Sequence, residues 1–185
     1  MTPCLGIQIY GDVVLVCAEL KRGVKMTEVQ SNLKANAAAP SQIEWNLPGF
    51  GPMTRISTSF GEVHAQALRE RDVIRTPQGV LKPIKWVDRM RLDAAFMRHA
   101  PDAQAVMIRA GALGGGLPKA DIVVSPEQLI GIGRHAHDVK FTKAKKLLGR
   151  PGVIRKPEEM MTYTLFHCGE TAVVRVEGIW AEVSP

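Results

Sequence analysis

The chain is poor in cysteine. Cys4, Cys17 and Cys168 are the only three among 185 residues, and their odd number and wide spacing exclude a disulfide framework and a zinc ribbon. A reducing compartment, the cytoplasm, is the expectation. No segment approaches the roughly 18 unbroken apolar residues of a membrane span. The opening Met1-Thr2-Pro3-Cys4 has neither the basic start nor the apolar stretch of a secretory signal. Acidic residues are scarce in one place. From Arg134 to Lys156, Asp138 alone opposes Arg134, Lys140, Lys143, Lys145, Lys146, Arg150, Arg155 and Lys156. Residues 1–48, by contrast, balance Lys21, Arg22, Lys25 and Lys34 against Asp12, Glu19, Glu28 and Glu44. The late basic run is either a solvated surface or an anion-binding patch built from Lys140, Lys143, Lys145, Lys146 and Arg150. With only Phe141 interleaved, it lacks the aromatic platforms of a nucleic-acid groove. Any such binding should be weak, sequence-blind and salt-sensitive.

Other absences concern motifs. The run Gly111-Ala112-Leu113-Gly114-Gly115-Gly116-Leu117-Pro118 is too glycine-rich for a helix or regular strand. It also lacks the Lys-Ser/Thr and the following helix that a phosphate-binding loop requires. His135 and His137 alternate in a way that would share a strand face, but a metal needs further ligands, and nothing in the sequence brings Asp138 or Cys168 to them. His167 and Cys168 are neighbours, which on a strand point to opposite faces, so they do not make a catalytic couple. No metal and no cofactor are expected.

What is present is a succession of short β-prone runs with turn signals about every ten residues, the pattern of a mostly β fold. Leu5–Tyr10 and Val13–Cys17 read as a hairpin, and Thr27 to Ala38 as a helix ended by Pro40. Residues 41–48 form a linker with Trp45 as an anchor. Strands are expected at Arg55–Thr58, Glu62–Gln66, Asp72–Thr76, Val80–Val87, Val106–Arg109, Ile122–Val124, Leu129–Ile132, Met161–Phe166 and Ala172–Val176. A helical turn is expected at Leu92–His99, and a short basic helix at Lys140–Leu148. Val63, Val73, Ile84, Trp86, Ile108 and Val123 are the expected core. The organisation expected is an N-terminal extension over 1–48 followed by one domain over 49–185.

Several blocks within that domain carry a more specific pattern. They are Met53-Thr54-Arg55-Ile56-Ser57-Thr58, Leu68-Arg69-Glu70-Arg71-Asp72-Val73, Pro83-Ile84-Lys85-Trp86-Val87, Arg109 to Pro118, Val124-Ser125-Pro126, Tyr163, and Gly178-Ile179-Trp180-Ala181-Glu182. Over residues 49–182 this arrangement resembles the Hint domain, the hedgehog/intein self-processing fold, in its bacterial branch. The resemblance implies a flattened β horseshoe with the N-terminal hairpin and helix as an extension. In that family a leading cysteine or serine attacks the peptide bond before it, and a Thr-x-x-His block polarises and protonates the scissile amide. The leading position falls on Gly49. The block falls on Ser125-Pro126-Glu127-Gln128, keeping a hydroxyl at Ser125 and replacing histidine by Gln128. Histidines expected after the late tyrosine fall on Thr164 and Glu170.

Gly49 has no side chain to form a thioester or ester, and Gln128 cannot take up a proton near neutral pH. The reading that follows is a degenerate domain, a pseudoenzyme serving as a structural or binding module toward an unidentified protein partner. Two alternatives stand beside it. One is residual self-cleavage near residue 49 through a substitute hydroxyl at Ser57, Thr58 or Ser59, with Thr54 nearby. The other is the weak anionic-surface binding of the basic run.

Overall fold

The computed structural model describes residues 44–132 and 139–185. The hairpin expected over residues 5–17, the helix expected at Thr27–Ala38, and Arg134, His135, His137 and Asp138 lie outside the described residues.

Among the described residues the strands are β1 (Arg55–Thr58), β2 (Gly61–His64), β3 (Val73–Arg75), β4 (Leu81–Pro83), β5 (Trp86–Leu92), β6 (Val106–Ile108), β7 (Ile122–Val124), β8 (Leu129–Ile132), β9 (Lys140–Lys143), β10 (Val153–Arg155), β11 (Met161–His167), β12 (Ala172–Val176) and β13 (Ile179–Val183), and α1 (Ala94–His99) is an α-helix. A large sheet runs β4-β3-β1-β12-β13-β8-β9 with β2 attached to β1; β10-β6-β7 and β11-β5 form two smaller sheets. Among the described residues every pairing is antiparallel. The mostly β expectation therefore holds.

Local chemistry sets the turns. At the β1–β2 hairpin Gly61 takes φ 114°, a region that penalises a side chain. The Thr58 hydroxyl donates to the Gly61 carbonyl and accepts from the Phe60 amide. The Asp93 carboxylate caps α1 by accepting from the Phe96 amide at 2.8 Å, as N-cap aspartates do.

Burial follows the period of two expected for half-buried strands. Ile56, Ile74, Ile84, Val106, Ile108, Ile122, Val124, Val174 and Val176 fill the main core. A second cluster joins Trp45, Leu92, Met97, Ala100, Ala103, Ala105, Met161 and Tyr163.

Four expectations need correcting. Val80–Val87 is not one strand. The Ile84 amide bonds the Asp72 carbonyl while the Lys85 amide bonds the His167 carbonyl, so the chain changes sheets just after Pro83, which cannot donate to a ladder. Trp86 is consequently on an open face, 40% exposed, and is not core; Val63, Val73 and Val123 are only half-buried. Lys140–Leu148 is not a helix but β9, paired with β8, followed by a 3-10 turn over Ala144–Leu147. Its lysines and alanine favour a helix intrinsically, and tertiary pairing overrides that preference. Finally, β10 and β13 complete the sheets where sequence periodicity picked out no strand.

Candidate functional site

Residues 49–51 lie between two sheets. The Phe50 amide donates to the Thr164 carbonyl at 2.9 Å and the Thr164 amide returns to the Phe50 carbonyl at 2.8 Å, while the Gly51 amide donates to the Val123 carbonyl at 2.7 Å. Phe50 thus bridges β11 on one side and Val124 on the other, with its ring buried against Phe166. Gly51 is required by this approach, because a Cβ there would lie 2.8 Å from that of Val123.

The loop after β7 closes over the same point. The Ser125 amide donates to the Gly49 carbonyl at 2.8 Å. The fully buried Ser125 hydroxyl accepts from the Trp45 indole at 2.9 Å and donates to the Leu47 carbonyl at 2.5 Å. Gln128, 1% exposed, donates its amide to the Glu182 carbonyl at 2.7 Å and to the Leu129 carbonyl at 3.2 Å. Gly49, Ser125 and Gln128, 79 positions apart at the extremes (128 − 49), are therefore brought together as the resemblance implied. Each is also occupied. A Cβ at Gly49 would stand 3.0 Å from the Cβ of Tyr163, tighter than ordinary van der Waals contact.

Beside the junction opens a cleft of about 280 Å³, walled by Leu47 to Phe50, Trp86, Gln128, Leu165 to His167 and Val183 to Pro185. Its side chains are mainly apolar. His167 is the lining residue with a titratable side chain, and sequence reasoning did not place it here. Its ring stacks on Trp86 with centroids 5.3 Å apart, and its Nδ1 accepts from the Gly169 amide at 3.0 Å. Its neighbour Cys168, just past the end of β11, is buried, and burial pushes its thiol pKa up. Such a thiol is a poor nucleophile. Thr164 is at the junction with a buried hydroxyl that has no partner among the described residues. Glu170 is exposed and pairs with Lys82 at 2.9 Å.

The substitute hydroxyls lie elsewhere. Thr54 is tied to the Val123 backbone and Thr58 to its own turn. Ser57 and Thr58 line a separate depression with Arg75 and Arg175. Ser57, Thr58 and Ser59 are all absent from the walls of the junction cleft.

Two of the five expected anion-binding side chains serve the Ser125–Gln128 loop. Lys143 and Lys145 clamp the buried Glu127 carboxylate at 2.5 and 2.6 Å, and the Lys145 and Ala144 amides donate to the Pro126 and Gln128 carbonyls. Lys140, Lys146 and Arg150 remain exposed. Burial, the largest single influence on Glu127, pushes its carboxyl up. The hydrogen bonds and charges of the two lysines outweigh it and hold the pKa below the ordinary 4.5. A depressed carboxyl contributes stability above its unfolded value and loses it as pH falls through its folded value. Thermal melting followed by circular dichroism should therefore decline on acidification below about pH 4.5, and Glu127→Gln should flatten that decline.

Among the described residues no group of three His, Cys, Asp or Glu side chains is placed to hold a metal, and no helix is long and apolar enough to cross a membrane.

A family model described as "Hint domain" matches residues 48–184. Solved structures with similar folds include the DnaB intein from Synechocystis sp. PCC 6803, 9% identical over 75% of this chain and 100% of that one at a TM-score of 0.48. The gp41-1 intein is 10% identical over 73% of this chain and 98% of that one at 0.45. No curated protein matches the sequence.

Proposed function

Because this chain belongs to the Hint-domain family, and because Trp45 and Leu47, just upstream of its junction, are built into the domain, we propose that it keeps the Pro48–Gly49 bond and serves as a structural or binding module. The observation that carries this reading is Trp45. It precedes the junction by four residues (49 − 45), yet it is 6% exposed in the second core and bonded to Ser125. A segment released by self-processing would take that core residue with it. The chemistry agrees. Gly49 offers no atom to receive an acyl group, and Gln128 spends its amide on two backbone carbonyls. Losing members of a catalytic unit that acts together removes most of its rate.

Neither alternative gains support. Ser57 and Thr58 line another depression, Ser59 is absent from the walls of the junction cleft, and the basic run is partly consumed by Glu127. The open cleft beside the junction suits an apolar side chain of a protein partner, since its walls are mostly hydrocarbon.

The test compares a chain beginning at Glu44 with one beginning at Gly49 by urea denaturation. The longer chain should be the more stable by about 3 kcal/mol or more, the cost of losing a core tryptophan. Equal stability would mean that the upstream segment is dispensable, as a released segment would be.

A further inference from the structure

A second recess lies on the solvent face of the large sheet. Ile56 pairs with Val176 of β12, and Thr58 pairs with Ile74 of β3. Arg175 and Arg75, the neighbours of those partners, therefore converge beside Ser57 from two strands. Arg175 in turn pairs with Trp180 of β13, its guanidinium carbon 5.6 Å from the centre of the indole ring. Ser57, Arg75, Arg175, Trp180 and Thr76, with the turn through Pro77 and Gly79, enclose about 230 Å³.

The electrostatics are one-sided. Both arginines are exposed, and among the described residues neither has a carboxylate within ion-pair distance. The acid directly across β1 from Ser57 is Glu62, and it is engaged by Arg55 at 3.7 Å. Thr76 is 6% exposed, and among the described residues its buried hydroxyl has no hydrogen-bond partner.

We propose that this recess binds the phosphate monoester group of a small molecule. Two guanidinium forks match the oxygens of a tetrahedral oxyanion, and such bidentate, charge-assisted bonds are the strong ones. The Ser57 hydroxyl supplies a further donor, and the Trp180 ring walls the organic part of the ligand. The turn closes one end of the recess, and its volume admits one phosphoryl group and a few further atoms. A nucleic-acid strand would instead need a continuous basic groove with repeated stacking platforms.

The test titrates inorganic phosphate, and separately phenyl phosphate, into the full chain at low ionic strength, following arginine Nε–H and indole N–H resonances by NMR. Saturable shifts are expected at Arg75, Arg175 and Trp180, with phenyl phosphate binding more tightly than inorganic phosphate. Arg75→Gln and Arg175→Gln, both at exposed positions, should leave the melting temperature unchanged and weaken binding about tenfold or more each. The triple variant Lys140→Gln, Lys146→Gln, Arg150→Gln should bind as the unaltered chain does. Unsaturable shifts, full affinity in the arginine variants, or loss of affinity in the lysine-directed variant would each overturn the proposal. Tighter binding of an oligonucleotide or a phosphopeptide than of phenyl phosphate would overturn its small-molecule assignment.

Discussion

Trp45→Ala should lose about 3–5 kcal/mol of unfolding free energy, the range for emptying a core aromatic site. The indole packs edge-on to Phe96 at 6.1 Å and tilted over Tyr163 at 5.7 Å, and its N–H reaches the Ser125 hydroxyl. Alanine removes all three contacts at once and leaves a void beside the junction loop. Trp45→Phe separates the contributions, because it keeps most of the packing and deletes only the N–H donor, a difference of about 1 kcal/mol for that bond. Denaturant titration of both variants measures this directly. A loss below about 1 kcal/mol for the alanine variant would mean that residues before Gly49 contribute little to the fold, against the core tryptophan range.

The second large effect is expected at Gln128. Its buried amide, at the wall of the cleft, is the donor for the carbonyls of Glu182 and Leu129. Gln128→Leu preserves the approximate volume and withdraws that donor from both carbonyls, which should cost about 2–4 kcal/mol, since a buried acceptor left unpaired forfeits its solvation. Gln128→His retains an N–H and should lose less. The comparison distinguishes two roles for this position. If Gln128 is a strut between β8 and β13, stability tracks the presence of a donor. If leucine is tolerated without loss, the hydrogen bonds are incidental.

The junction was legible in the sequence because its signals are chemical identities at fixed spacing. Gly49, Ser125 and Gln128 were nominated by where a nucleophile and its histidine block would stand, and backbone pairing through Phe50 and Ser125 brings them together. Trp45 was legible as an anchor for the same kind of reason, a lone large aromatic in a polar linker. What stayed hidden was what those side chains do there. No sequence pattern states that Gln128 reaches Glu182 54 residues later, or that position 49 is crowded by Tyr163. The strand map failed where local preference and tertiary context disagree. Lys140–Leu148 has helix-favouring lysines, alanine and leucines, but its first four residues are recruited by β8, and Trp86 looks like core yet sits on a seven-residue ladder whose outer face is open. The basic run misled for a related reason. Charge counting sees eight cations and cannot see Glu127 buried between two of them.

The central claim, that the Pro48–Gly49 bond is a permanent part of the domain, is tested most directly by intact-mass spectrometry. The freshly expressed full chain is held at neutral pH with and without a thiol, and separately with hydroxylamine, which traps any ester or thioester intermediate. The account expects one species with the mass of all 185 residues under every condition. Fragments ending at Pro48 and beginning at Gly49 would contradict it.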